Sequence, residues 1–239
     1  MAGRINYYGN IVSNGLILNL DAARINSYPK TGTQWNDISG LNNNSTLTNG
    51  PIFTSSNGGA IVFDGTNDYA TQTYNMSTMT EFSIEFWAKT YNTGTTLVSS
   101  NQALAGPNAG GTYLRVNFAP GNSNQTGLLM YVAGTSTGTS FTSVNVPFSS
   151  MNLTGYNLYS YTFKNRNTAN IYLNGSLKIS TDISAIDIPG LGSWYQRIGN
   201  YAGSYLWEGE IAITRMYNRI LSASEVLQNY NAVKGRFGL

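Results

Sequence analysis

From residue 15 to residue 217 the chain is divided into short apolar–polar alternating runs separated by Gly, Asn, Asp or Ser. This pattern constrains the fold more than any other feature. Alternation with a period of two places every second side chain on one face, which suits a half-buried strand and not a helix. The clearest runs are Leu16–Leu20, Ala60–Phe63, Phe82–Lys89, Thr95–Ser99, Tyr113–Phe118, Leu128–Val132, Leu158–Phe163 and Ile171–Leu173. Within Phe82–Lys89, Phe82, Ile84, Phe86 and Ala88 share one face, and Ser83, Glu85, Trp87 and Lys89 share the other. Asn174-Gly175 lies between two such runs and predicts a two-residue hairpin, because both central residues of that turn need positive φ. Many short strands with frequent turns imply an all-β chain, either a sandwich or a barrel. No Pro-rich or Ser-rich linker divides it, so a single domain is expected over residues 15–239.

Two segments break the pattern. Ser222-Ala-Ser-Glu225 is a capping box, and Val226, Leu227, Tyr230 and Val233 form an apolar stripe behind it. This predicts one short C-terminal helix, ended by Gly235 and packed across one end of the sandwich. Residues 1–14 carry no regular pattern and are expected to form an N-terminal arm. Its Tyr7, Tyr8 and Ile11 are candidate contacts to a partner, since aromatic residues are enriched at interfaces.

Composition narrows the chemistry. The chain has no Cys and no His, which excludes disulfides, thiolate nucleophiles, Ser-His-Asp triads and His- or Cys-ligated metals. Charged residues make up 10%, and the net charge of +2 is scattered, so no nucleic-acid footprint is present. No run is long and apolar enough for a transmembrane helix or a signal peptide. The expectation is a product that stays in the cytoplasm unless a larger assembly carries it out. Asn, Ser, Thr, Gly and Tyr must then supply most of the polar surface, which suits neutral partners such as sugars or other subunits.

Two constellations are candidate sites. Trp194, Tyr195, Arg197, Asn200, Tyr201 and Tyr205 gather aromatic rings with amide and guanidinium groups, the equipment for a sugar ring; the alternative is that the large rings pack internally. Asp64, Asn67 and Asp68 surround a single Gly turn and offer oxygen ligands for calcium, with Asp21 and Asp37 in matching loops. The alternative there is an Asx turn closed on backbone amides. Trp35 and Trp87 are assigned to packing. Glu208 and Glu210 share one face at the start of a strand and are read as a solvated pair.

Five segments, in order, carry a resemblance: Gly15–Ala22, Trp35–Gly40, Ile61–Tyr69, Phe82–Lys89 and Gly209–Ser222. With them the sequence resembles the laminin-G-like, concanavalin-A-like jelly-roll family, in the single-domain form found in tailed-phage virion proteins. The resemblance implies a two-sheet antiparallel β-sandwich. It also implies a non-enzymatic virion structural protein, a capsid decoration or tail appendage subunit, bound to other virion proteins or to copies of itself. A glycan-binding adhesin for host-surface carbohydrate is the alternative, and a glycosidase or lyase the distant one. Hydrolysis needs two carboxyls facing one bond, and the acidic strand motif of the family's glycosidases is missing, since only Glu85 lies on a candidate strand. No cofactor is required, with calcium as the optional metal. Many relatives carry Asp-Glu where this chain has Ala212-Ile213, which removes two carboxylates from any metal site using that strand.

Overall fold

The alternating runs pair into two large antiparallel sheets, as the period of two requires. The computed structural model describes residues 11–72, 74, 79–91, 102–106, 113–122, 125–133, 141–147, 151–185, 197–201 and 205–239. In 102–106, 113–122, 125–133 and 141–147 (Val146 excepted), and at Tyr201 and Tyr205, only the backbone is described. Thr95–Ser99 and residues 1–10 lie outside the described residues.

The strands in the first half are β1 (Leu16–Asp21), β2 (Gln34–Trp35), β3 (Ser45–Thr48), β4 (Ile52–Thr54), β5 (Ala60–Asp64), β6 (Tyr69–Gln72), β7 (Glu81–Thr90), β8 (Gln102–Gly106) and β9 (Tyr113–Asn122). There follow β10 (Gln125–Ala133), β11 (Phe141–Pro147), β12 (Asn157–Lys164), β13 (Thr168–Leu173) and β14 (Ser176–Asp182). The last are β15 (Arg197–Ile198), β16 (Asn200–Tyr201), β17 (Tyr205–Leu206) and β18 (Glu208–Tyr217), before helix α1 (Ala223–Val233). One sheet runs β14-β13-β12-β7-β18-β5-β4, with β1 also on β18. The other runs β11-β10-β9-β8-β15-β6-β3-β2, and β16-β17 form a separate ribbon.

β18 organises the first sheet. One edge pairs with β7, while the other is divided end to end between β5, opposite Glu208–Ile211, and β1, opposite Ile213–Tyr217. Where β5 gives way to β1, the register of β18 shifts between Ile211 and Ile213, and the freed Ala212 carbonyl accepts from Ala22 N (3.0 Å). The bulge therefore leaves no orphaned acceptor at the handover. Between the two sheets lie Phe82, Ile84 and Phe86 of β7, Tyr159, Tyr161 and Phe163 of β12, Ile61 and Phe63 of β5, and Trp35, Leu47, Ala70 and Ile198 from the second sheet.

The helix lies elsewhere than its sequence suggests. It covers the outer face of the first sheet, not an end of the sandwich: Ala232 and Val233 pack with Ala60, Trp87, Leu158, Ala212 and Ile213. The supposed polar face of β7 is consequently buried. Trp87 stacks on Tyr230 (ring centroids 5.7 Å) and on Phe237 (4.5 Å), and Glu85 is 1% exposed. The buried helix residues are Val226, Asn229, Ala232 and Val233; Leu227, placed in the apolar stripe by sequence, is 45% exposed. Past α1 a 3₁₀ turn, Lys234–Phe237, carries the chain on, so Gly238 and not Gly235 takes the left-handed closing position (φ 73°). Arg236 pins this end to Asp21 Oδ1 (2.7 Å), to Asn57 O (2.6 Å) and to Gly59 O. The hairpin expectation is met, with φ of 51° at Asn174 and 80° at Gly175.

Residues 11–14, placed in the arm by sequence, belong to the body. Ile11 packs against the cluster around Trp87, and Val12 is buried. Val12 N donates to Asn229 Oδ1 (2.8 Å), and Tyr217 OH donates to Val12 O (3.2 Å). Asn229 Nδ2 also donates to Glu85 Oε2 (3.0 Å) and meets the Tyr217 hydroxyl (2.9 Å). Ser160 Oγ donates to Glu85 Oε1 (3.3 Å), and Arg215 Nη1 lies 3.7 Å from Glu85 Oε2. Burial pushes the Glu85 carboxyl above its ordinary range, against the opposing pull of Arg215. One polar network thus joins the N-terminal segment, the helix and three strands beneath an apolar cover.

Two stability predictions follow from these contacts. Gly209 on β18 has φ 146°, and a Cβ there would lie 2.2 Å from Lys89 O. Gly209→Ala is expected to cost about 3 kcal/mol or more, read as a lower urea midpoint at unchanged slope. The Arg219 side-chain bonds, aided by Ser222, hold the Glu225 carboxyl at about 2. A lowered folded-state value means stability that is present above the ordinary glutamate range and lost as pH falls through it toward 2. With both partners part-exposed, Glu225→Gln should remove about 1 kcal/mol or less at neutral pH and flatten the decline between about pH 5 and 2 in acid titrations of Tm.

Candidate functional site

Three strand ends and one turn meet at a rim of the sandwich. β5 ends at Asp64, directly opposite Glu208 at the start of β18, and Glu208 O accepts from Tyr91 N (3.0 Å) just beyond β7. β6 begins at Tyr69, immediately after the turn, and pairs with β15 through Ala70↔Ile198 and Thr71↔Arg197. Asp64–Asp68 and Arg197, which belong to constellations separate in the sequence, therefore share this rim through Tyr69. The Arg197 guanidinium carbon lies 4.3 Å from the centroid of the Tyr69 ring, a cation–π contact that fixes both side chains.

The turn closes on itself. Asp64 Oδ1 accepts from Thr66 N (2.7 Å) and Asn67 N (3.3 Å), and Asp68 Oδ2 accepts from Asp64 N (3.1 Å). Gly65 is required, since a Cβ at its φ of 73° would lie 2.9 Å from Glu208 Cβ. Desolvation acts upward on Asp64, but the amide bonds outweigh it and hold the carboxyl below the ordinary range. Burial raises Asp68, which is 4% exposed, and the nearby Asp64 charge adds to the effect. Asn67 is exposed, with its carbonyl accepting from Asn49 Nδ2 (2.8 Å). Among the described residues no three acidic side chains come together as a metal cluster. Asp37 accepts four hydrogen bonds, from Asn19 N, Ser39 N, Ser39 Oγ and Asn43 N, so its carboxylate organises its own loop.

The aromatic candidates divide. Trp194 and Tyr195 lie outside the described residues, as do Tyr7 and Tyr8. Tyr201 and Tyr205 pair across the β16-β17 ribbon, where the backbone alone is described. Asn200 is buried beside them, and Trp207, fully buried, anchors the ribbon through Trp207 N to Gly199 O (2.8 Å). Trp35 and Trp87 are both wholly buried, as the packing assignment requires. Ile11 lies under the helix on the outer face and not at the rim.

Glu210 corrects the solvated-pair reading. Glu208 is exposed, but Glu210 is 4% exposed and accepts from Tyr91 OH (2.9 Å) and Tyr156 OH (2.5 Å), with Lys89 Nζ 3.7 Å away. The covering groups come from β7 and from the segment before β12, which the spacing of Glu208 and Glu210 does not reveal. This buried carboxylate orients the ring that sequence reasoning missed. Tyr91 is 44% exposed, its hydroxyl is tied to Glu210, and Lys89 Nζ stands 5.7 Å from its ring centroid. Burial and the Glu210 charge push the Tyr91 phenol up to about 12, so it remains a neutral donor. The available signal was the continuation of the Phe82–Lys89 run through Thr90 to an aromatic residue at the strand exit. The rim thus presents a fixed aromatic ring on the residue whose backbone pairs with Glu208, itself paired with Asp64, and both acids are exposed.

Comparison with known proteins assigns this architecture. No curated protein sequence matches the chain. Among solved structures, the binding domain of Paraclostridial Mosquitocidal Protein 1 superposes with a TM-score of 0.69 at 17% identity, over 92% of this chain and 52% of that one. The botulinum neurotoxin serotype D binding domain gives 0.68 at 14% identity, over 92% and 52%. The chain thus spans about half the length of these toxin domains. Domain 4 of AbnA, an extracellular GH43 arabinanase from Geobacillus stearothermophilus solved with arabinotriose, gives 0.69 at 14% identity, over 90% of this chain and 98% of that domain. At such identities the likeness is one of fold. The family model Laminin_G_3, described as the concanavalin A-like lectin/glucanases superfamily, matches residues 64–227, more than two thirds of the sequence. The chain belongs to the concanavalin A-like lectin/glucanase superfamily, as a laminin-G-type jelly roll.

Proposed function

We propose that this protein is a non-enzymatic binding module whose rim takes a host-surface carbohydrate. The observation that carries the reading is Tyr91, an exposed ring whose hydroxyl is held by Glu210 and whose face meets Lys89. It stands on a rim where its backbone pairs with Glu208 and Glu208 pairs in turn with Asp64, both acids being exposed. A fixed apolar ring face with polar groups around it suits a pyranose or furanose, whose own faces divide in the same way. The arabinanase domain solved with arabinotriose, matched over nearly its whole length, supports this reading at the level of the fold. Hydrolysis is disfavoured by the carboxyl inventory. Asp64 is held ionised by amides, Asp68 is enclosed, and Glu85 lies under the helix, so among the described residues these acids offer no accessible protonated carboxyl to work with Glu208. The reading assigns no cofactor: Asp64 Oδ1 and Asp68 Oδ2 already accept from backbone amides, and Asp68 Oδ1, buried without a hydrogen-bond partner, is the atom that makes calcium worth testing.

A glycan array screened in calcium and again in EDTA tests this. Saturable hits are expected in both buffers. Tyr91→Ala should weaken them about tenfold, and Tyr91→Phe, which keeps the ring, should weaken them less. A silent array in both buffers sinks the reading. Hits lost in Tyr195→Ala or Tyr201→Ala but kept in Tyr91→Ala would move the site from Tyr91 to those residues. Loss in EDTA alone would make Asp64, Asn67 and Asp68 a calcium site.

A second reading is a virion structural role, as a decoration or tail appendage subunit that holds other virion proteins or copies of itself. It is favoured by the firm seating of Ile11 and Val12, directly after the segment carrying Tyr7 and Tyr8. Removal of residues 1–10 is then expected to leave Tm within a few degrees and to abolish incorporation into particles. Normal incorporation of the truncated chain would exclude this role for the segment.

A further inference from the structure

The edges of the two sheets are not alike. β2 and β4, at two of the ends, have two and three residues, and β11 ends at Pro147. Edges of two and three residues offer little to a further strand, and β11, seven residues long, loses the donor of its last residue to the proline. β14, at the fourth end, has seven residues without proline and, among the described residues, is paired on one side only, with β13, in a ladder whose register shifts at Lys178, the residue between Leu177 opposite Tyr172 and Ile179 opposite Ile171. Its residues are exposed except for Ile179 and Thr181, which are half-buried.

The sequence of this edge is complementary to itself. With a two-fold axis at Ser180, an antiparallel second copy places Lys178 opposite Asp182 twice, Ile179 opposite Thr181 twice and Ser180 opposite Ser180. Lys178, Ser180 and Asp182 alternate onto one strand face, so the opposed charges point to the same side. Within one chain the two charges are four residues apart on a strand, about 13 Å, and cannot pair. Among the described residues Lys178 has no ion-pair partner. A lysine at an open edge discourages indiscriminate strand addition. Here the same lysine favours the one register that meets Asp182. Two exposed leucines flank the start of the edge: Leu177 is 50% exposed, and Leu227 of α1 lies against Gly175.

We propose that two copies of the chain associate through β14, edge to edge and antiparallel about Ser180, joining their β14-bearing sheets into one continuous sheet. Opposite charges facing across strands favour this register, and like charges there oppose it. The closed two-fold contact stops at two copies.

Sedimentation equilibrium on the full chain tests the assignment. The wild type is expected to be a concentration-dependent dimer. Lys178→Glu, which sets two carboxylates opposite each other at both sites, should raise the dimer dissociation constant about tenfold or more. The reversed pair, Lys178→Glu with Asp182→Lys, should restore it. Both positions are exposed, so the far-UV spectrum and Tm should remain as in the wild type. A wild type that is monomeric at its highest soluble concentration overturns the proposal. So does a dimer indifferent to Lys178→Glu, or one that the reversed pair fails to restore.

Discussion

The structure depends on the sharing of a single strand. β18 must satisfy β7 along one edge and two different strands along the other, and it manages this with one displaced residue, Ala212, whose carbonyl is taken by Ala22. Because β1 and β5 are held in line by the same strand, the N-terminal third of the chain is locked to its C-terminal end. The rim is a product of the same arrangement. Glu208 opens β18 beside Asp64, two residues on Glu210 turns to the outer face, and Gly209 between them lets the Lys89 carbonyl approach.

The carboxylates illustrate how burial decides role. Glu85 and Glu210 lie on strands that read as half-exposed, yet each is enclosed by neutral donors: an amide and a hydroxyl for Glu85, two phenols for Glu210. A cation stands near each at a longer distance, Arg215 and Lys89. Enclosed carboxylates of this kind position other groups. Glu85 gathers the helix and strands, and Glu210 aims Tyr91. Asp64 and Glu208 are exposed and face solvent at the rim.

Much of this was legible in the sequence where the governing contacts are local. Strands β1, β5, β7, β9, β10, β12 and β13 follow the alternating runs, the Asn174-Gly175 turn follows from positive φ, and the Ser222–Glu225 capping box forms as written. The short strands β2, β3, β4 and β6 carry too few residues to show a period. The burial of Ser83, Glu85 and Trp87 depends on a helix more than a hundred residues away and so leaves no local mark. The helix stripe was misread for a related reason: Asn229 is buried because Glu85, Tyr217 and Val12 supply its partners, whereas Leu227 faces outward beside the hairpin at Gly175. At the site, the Asp64–Asp68 turn and Arg197 were found, but their meeting through Tyr69 and the role of Tyr91 required the sheet order.

The seating of Val12 also bears on how the fold resists being pulled apart. β1 and β18 are antiparallel, with Leu16 opposite Tyr217, so the chain enters β1 and leaves β18 at the same end of their ladder. A ladder loaded from that end would peel, breaking one pair at a time. Here the entry is clasped before the first pair: Asn229 and Tyr217 hold Val12, Arg219 Nε holds Asn14 O (3.0 Å), and Asn218 N holds Gly15 O (2.9 Å). Tension on the two ends therefore meets a knot of side-chain bonds under the helix before it reaches the strands, and peeling must begin by lifting the helix itself.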